Sequence, residues 1–467
     1  MKNATFDNRG RQNRRGSIML LTLIFLTLFA SLALAFFATS DLNLRQARNS
    51  TSVQSAQTAA ESGLAYMIAI LGEQSIPVSD ANTDLLLAAS NAASAAMDGM
   101  ANLGGGYVTF DGTVIRVPMI TSSNGSQFRA EIREDASNPL LLKLAVTAMW
   151  QGTTRRVNMD LEKVPGSTGV FNYGVASRGK IVIGGNGKIL GVNNPSEADI
   201  MSATYSTSEA VSITGSSMLD GDIATANPDS YVTFKGSPTI AGSSNPATFA
   251  DHVRIGDGTT DFPEVNTTIY EPFIQQTLAA SADLNNNIVL NNARIPAGMN
   301  PKFNANVTIR GVLYIEKPNQ VSFAGGVNIQ GVIVTRDAGD NMYKTDTISF
   351  NGNVSSQGVE TLPDSDGAWN FTGLKALPGS MLLAPGFGVS FSGSFDALNG
   401  AIACDKFTMT GNAGGVIRGP IICYGDTEFT LWGSAQAKID RSYYPQIPPG
   451  FDLPVRLAPK GNSYTEG

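Results

Sequence analysis

The run GVLYIEKPNQVSFAGGVNIQGVIVT, residues 311–335, contains both units from which the larger part of this chain is built. One unit is a glycine followed by an apolar run: GVLYI at 311, GVIVT at 331, GAIAC at 400 and GPIIC at 419. The other is an apolar–Ser/Thr–apolar triplet with glycine close behind, as in Val321-Ser-Phe-Ala-Gly, and it recurs from Val211, Val232, Ile348, Val389, Phe407 and Phe429. Neighbouring copies start 20 (311 to 331), 19 (400 to 419), 21 (211 to 232), 18 (389 to 407) and 22 (407 to 429) residues apart. Repeats of this length, made of short strands and glycine corners, suit a chain that winds so that each turn pairs in parallel with the turns above and below. Glycine allows the corner conformations and the close approach of successive turns. The expectation is an all-β parallel β-solenoid over 167–440; the alternative is a β-sandwich with coincidental spacing.

Working outward, residues 260–305 break the period and are expected to form an inserted loop and helix. The tail 441–467, rich in proline, is expected to cap the last turn, because an open strand edge invites further pairing. On the other side, Pro165-Gly166-Ser167 reads as a boundary, with a different texture before it. Val108–Met119 turns at Asp111-Gly112; Phe128, Ala130 and Ile132 alternate with charged residues; Leu140, Leu142, Leu144 and Val146 alternate again; Gln151-Gly152 turns into a strand over 156–164. Residues 73–166 are therefore expected to hold an antiparallel sheet after a small-residue helical stretch, LLLAASNAASAAM.

The first 72 residues are of a third kind. No charge lies between Gly16 and Ser40, and the apolar segment Ser17–Phe37 is long enough, at ~1.5 Å per residue, to reach across a bilayer core of about 30 Å. Arg9, Arg11, Arg14 and Arg15 precede it, which keeps the N-terminus cytoplasmic and sends the remainder across the membrane. Beyond it, Val53, Ala56, Ala60, Leu64, Met67 and Leu71 recur at threes and fours, without proline, so one helix is expected from Ser17 to about Leu71. A secretory signal cleaved after Ala33-Leu34-Ala35 is the alternative, although the apolar run exceeds the usual ~7–15 residues.

The basic leader ending in Arg14-Arg15-Gly16, the apolar stretch and the later TAAESGLAYM resemble type IV pilins and pseudopilins, and among them PilX-type minor pilins. The resemblance covers roughly the first 70 residues and reaches Val164 if the sheet is included. It implies cleavage by a prepilin peptidase between Gly16 and Ser17, with Ser17 as the mature N-terminus, and assembly with other pilin subunits through the helix. It also implies an α+β pilin-like part, a long N-terminal helix on an antiparallel sheet, ahead of the solenoid. Most major pilins carry a glutamate five residues into the mature chain; here that position is Leu21. The chain therefore looks more like a low-copy subunit than a bulk filament protein.

Charge and residue usage exclude several functions. The net charge is −7 over 467 residues, and removing the leader, with five basic residues and Asp7, leaves −11. No basic patch follows the leader, so nucleic acid is not an expected partner. A single histidine, His252, leaves no Ser-His-Asp or multi-histidine metal site to build, and no cofactor is expected. The aspartate pairs 220/222, 257/261, 337/340 and 364/366 could serve acid–base cleavage of polysaccharide, and the loop from Arg336 to Asn341 could hold calcium. Short-spaced aspartates beside glycine more often bond their own turns. Catalytic and metal residues are thus expected to be none. Cys404 and Cys423 occupy the same place in GAIAC and GPIIC, so they should lie on adjacent turns, about 4.8 Å apart; a disulfide in an oxidising compartment is expected, and the alternative is a stacked pair of free thiols acting as small core hydrophobes.

The function these readings imply is a non-enzymatic subunit of a type IV pilus or type II secretion-type filament. It would be single-pass in the inner membrane, among its lipids, with the bulk of the chain periplasmic or extracellular. The head would serve assembly, adhesion or contact with a surface polysaccharide. The alternative is a membrane-tethered carbohydrate-binding or polysaccharide-active β-helix protein.

Overall fold

The computed structural model describes residues 14–122, 125–166, 168–258, 261–339, 342–443 and 447–467. The chain divides into two compact units. The first is residues 1–74, 84–163 and 457–467; the second is 75–83 and 164–456.

In the first unit, a 60-residue helix α1 (Arg14–Glu73) is followed by a short helix α2 (Leu85–Met97), whose start is fixed by Asp84 accepting a hydrogen bond from Leu87 N at 2.8 Å. Then come β1 (Thr109–Phe110), β2 (Val114–Thr121), β3 (Gln127–Asp135), β4 (Asn138–Trp150) and β5 (Thr153–Pro165), each antiparallel to the next. The expected hairpins are present: Asp111 Oδ1 accepts from Thr113 N and Val114 N, and Gln151 and Gly152 both take positive φ in the tight β4–β5 turn. Only the C-terminal part of α1 packs on the sheet. Ala56, Ala60, Leu64, Met67 and Leu71 are buried, against β3 and β4 residues that include Phe128 and Val146. The helix comes close at Gly63, where an added Cβ would sit 2.7 Å from the Phe128 ring and 2.9 Å from Val146 Cγ1.

The tail departs from expectation. It does not cap a turn of the repeat: strands Val455–Pro459 and Thr465–Glu466 join the antiparallel sheet on the free side of β5, with Thr465 opposite Asn158. The unpaired edge of β5 is where strand addition is favoured.

The second unit is built of parallel pairings between successive turns of chain. Within a turn there are three short strands, as in 312–315, 320–323 and 327–330, each paired in register with the next turn's 332–335, 347–350 and 354–357. Corners need positive φ. Gly331, at φ 152°, has no room for a Cβ, which would lie 1.9 Å from Gly311 O. Inside, phenylalanines stack turn on turn. Centroids of Phe303, Phe323, Phe350 and Phe391 are 5.0, 5.2 and 4.7 Å apart, and Phe407 and Phe429 are 5.5 Å apart.

The order of layers is not the order of the chain. Following the first strand of each turn, the ladder runs 276, 293, 313, 333, 382, 402, 421, 175, 200, 223, 253, parallel throughout. The last turn thus sits against the first: Ile421 pairs with Val175, and Phe429 with Ile181. That pairing fills an edge that would otherwise stand open, so no cap is needed there. The chain must also return from one end of the ladder to the other between 255 and 276. Ten strand spacings of about 4.8 Å come to roughly 48 Å, within the reach of some 20 extended residues.

The returning segment lies over the ladder's outer face. Phe262 and Tyr270 are buried in a cluster with Val312, Tyr314, Val332 and Val334. Residues 359–374 and Phe451 complete the cover. The expected loop-and-helix insertion over 260–305 is therefore corrected. Its first part is this cover, with a 3-10 helix at Thr268–Phe273, while Ile288–Ile295 and Lys302–Phe303 are strands of the layers themselves.

Candidate membrane-spanning helix

α1 is one uninterrupted helix whose two halves have different surroundings. From Ile18 to Leu44 every side chain is exposed; from Ala56 onward a stripe is buried on the sheet. The exposed half is the most apolar stretch of the chain: Leu21 is 57% exposed, Phe25 53% and Phe37 71%. Exposed apolar side chains in an unbroken row mark a surface that meets something other than water. Among the described residues α1 is the helix long and apolar enough to cross a membrane. Ile18–Phe37, 20 residues counted inclusively, rises about 30 Å, close to a hydrocarbon core.

Hydroxyls within this stretch are satisfied internally. Thr22 donates to Ile18 O, Thr27 to Leu23 O and Ser31 to Leu28 O, at 2.9–3.0 Å. With backbone and side-chain donors both paired within the helix, removal from water leaves no orphan group. The first charges after it, Asp41 and Arg45, form an i,i+4 pair at 2.9 Å. Gly16 and Ser17 fall in the first turns of α1, and their side chains lie outside the described residues, as does the leader up to residue 13.

The other candidate residues sit as follows. Asp222 accepts from His252 Nδ1 at 2.9 Å, with Arg254 at 3.4 Å. Buried Asp261 pairs with Arg456, Asp366 with Arg310, Asp364 with Lys375 at 2.6 Å, and Asp257 with Arg254 at 3.2 Å. Asp337 accepts from Gly339 N in its own turn. Asp340 and Asn341 lie outside the described residues. These carboxylates hold turns and cations of the fold, and among the described residues no three His, Cys, Asp or Glu side chains converge as metal ligands would.

Cys404 and Cys423 are register partners on adjacent strands and fully buried, but they are free thiols, so the expected bridge is not formed. In parallel, in-register strands the Cα–Cβ bonds run side by side. The Cβ atoms then keep about the 4.8 Å strand spacing, beyond the ~3.5–4.5 Å of a disulfide. Burial, followed by the hydrogen bond with Cys423, pushes the Cys404 thiol well up.

Sequence reasoning missed Gly63 and Tyr270. Gly63 is the only glycine between Gly16 and Gly72, and a glycine inside a helical stripe is the signal of a close contact. Tyr270, buried with its hydroxyl donating to Pro449 O at 3.1 Å, lay in a stretch whose broken period hid its role.

Comparison with protein-family models and with curated proteins finds no match. Among solved structures, the chain is similar to the competence-associated pilin ComZ from Thermus thermophilus. The two share 12% identity over an alignment covering 89% of this chain and 98% of that one, with a TM-score of 0.28. A superposition at that score carries no functional weight.

Proposed function

We propose that this chain is a membrane-anchored, pilin-like subunit of a type IV pilus or type II secretion-type filament, without enzymatic activity. One observation carries the reading: a single helix leaves its apolar half bare while its other half packs on an antiparallel sheet. The bare half requires an apolar host. Before assembly that host is the inner membrane, with the short basic leader inside. After cleavage between Gly16 and Ser17 by a prepilin peptidase, it is the corresponding helices of neighbouring subunits.

The layered unit is read as a β-solenoid head carried outside the membrane. Leu21, in place of a carboxylate that would pair with a neighbour's N-terminal amine, leaves the subunit without a register-setting contact in an apolar core. The bulk of the head, residues 164–456, would crowd a closely packed shaft. Both features favour PilX-type minor-pilin behaviour, at a tip or at sparse points. Gold-labelled antibody against the layered unit, applied to filaments from cells expressing the intact chain, is expected to mark ends or isolated points. Continuous decoration of the shaft contradicts the low-copy placement.

A further inference from the structure

Beside α1, where β2 ends and β3 begins, the first unit holds a groove of about 670 Å³, within the range of small-ligand sites, ~300–1,000 Å³. Its floor is apolar and buried: Ala59, Ile120 and Phe128. Two further rings line it, Tyr66 and Trp150, both half-buried. Tyr66 is held edge-on to Phe128 with centroids 5.8 Å apart.

The rest of the lining is hydroxyl and amide. Ser55, Thr58 and Ser62 recur at threes and fours along α1, which puts them on one helix face with Tyr66. Asn102 and Thr121 contribute from outside the helix, and Asn102 Nδ2 donates to Tyr66 Oη at 3.4 Å. Among the described residues, no Asp, Glu, Lys, Arg or His lines the groove.

This composition selects among ligands. A charged ligand would find no opposite charge to offset its desolvation. An acyl chain would displace water from the polar rim of Ser55, Thr58, Ser62 and Asn102 while offering these groups no hydrogen bond in return. A neutral sugar offers a C–H face that lies flat on aromatic rings and equatorial hydroxyls that meet Ser, Thr and Asn. We propose that this groove is a binding site for a neutral oligosaccharide, with Trp150 and Tyr66 as its stacking rings and the α1 hydroxyls as its polar edge. The site is independent of the helix's membrane role.

The test is calorimetric titration of the full chain, extracted in a non-glycosidic detergent, with maltohexaose, cellohexaose and chitohexaose. At least one is expected to bind. Trp150→Ala should weaken that binding roughly tenfold by removing a stacking ring, and Ser62→Leu should do likewise by filling the groove from α1. Trp432→Ala, which removes an exposed ring of the layered unit, should leave affinity unchanged. Melting temperatures of the variants report whether the fold survives. If Trp150→Ala unfolds, the exposed-site change Ser62→Leu decides. The proposal is overturned if none of the three sugars binds, if a uronic-acid oligomer binds more tightly than all three, or if affinity survives in a folded groove variant. It is equally overturned if Ser62→Leu alters only self-association in sedimentation.

Discussion

In the antiparallel sheet, β3 shows one face to α1 and one to water: Phe128, Ala130 and Ile132 are buried, Arg129 and Arg133 exposed. In the layered unit, Val312, Leu313, Tyr314 and Ile315 are consecutive and all buried. Leu313 and Ile315 point into the layers, while Val312 and Tyr314 lie under the returning segment. A strand covered on both faces reads as an unbroken apolar run; one covered on a single face alternates. The GVLYI-type units are thus the doubly covered strands. The VSF-type units, with Ser322 half-exposed between buried Val321 and Phe323, are the singly covered ones. Two helices, α1 and α2, cover the sheet, whereas the layers draw their cover from three separate segments.

The sharpest way to break this contrast is at the phenylalanine stack. Phe350→Ala should destabilise the layered unit by about 3–5 kcal/mol, because rings on both sides lose contact with a cavity that cannot collapse. Hydrogen exchange should show lost protection along 320–391 and unchanged protection in β2–β5. Uniform loss across both units would mean that they do not unfold separately.

A smaller effect on the opposite unit is expected from Gly63→Val. The added side chain meets the Phe128 ring and Val146, forcing α1 away from the sheet at a cost of ~1–3 kcal/mol. Protection should fall in β3 and β4 and hold in the layers. Wild-type stability for this variant would mean that the helix does not pack as described.

Acid should also separate the units. The Lys143 ammonium beside Asp135, and the Arg116 guanidinium beside Asp111, hold both carboxyls well below the usual range. Such groups contribute stability above the unfolded pKa, near 4, and lose it as pH falls toward their lower folded values. Burial has the opposite effect on Asp199 in the layered unit, where it raises the pKa. There the folded state disfavours the charged form, so stability is greater below the unfolded pKa and declines as pH rises through the folded one. Acidification toward about pH 4 is therefore expected to relieve Asp199, and acidification below it to weaken the helix–sheet unit. Asp135→Asn should flatten the first trend, and Asp199→Asn the second. Identical acid profiles for wild type and Asp135→Asn would remove this account.

The thiol pair gives the smallest and cleanest contrast. Antiparallel partners can bring Cβ atoms close, but parallel in-register partners keep them a full strand spacing apart. Titration of denatured, unreduced protein should find two free cysteines. None would mean that strands 402–404 and 421–423 draw together locally.

Much of the fold was legible because its units repeat. GVLYI, GVIVT, GAIAC and GPIIC align in the structure as the spacing requires, and Cys404 does face Cys423. The turn at 288–303 was not legible. Its corner is Asn292, at φ 42°, doing what glycine does at Gly311, and its strands lack the apolar–Ser–apolar triplet. Asparagine tolerates the left-handed corner, so NNA in place of G-apolar was the available signal. The layer order was illegible for a different reason: pairing of 421–423 with 175–177 depends on which free edge the last turn meets, and no local pattern encodes that. The apolar half of α1 was legible from length and charge alone. The groove beside its other half was not, because α1, β2, β3 and β4 each contribute only part of its lining.

The fate of the first residues of α1 decides whether the helix anchors the protein. Intact-mass measurement and N-terminal sequencing of the chain extracted from membranes test it directly. A mature N-terminus at Ser17 is expected, with the apolar half retained. A terminus near Thr39 would show that the apolar segment is a discarded signal, and would contradict the proposal that α1 anchors the protein and enters a filament.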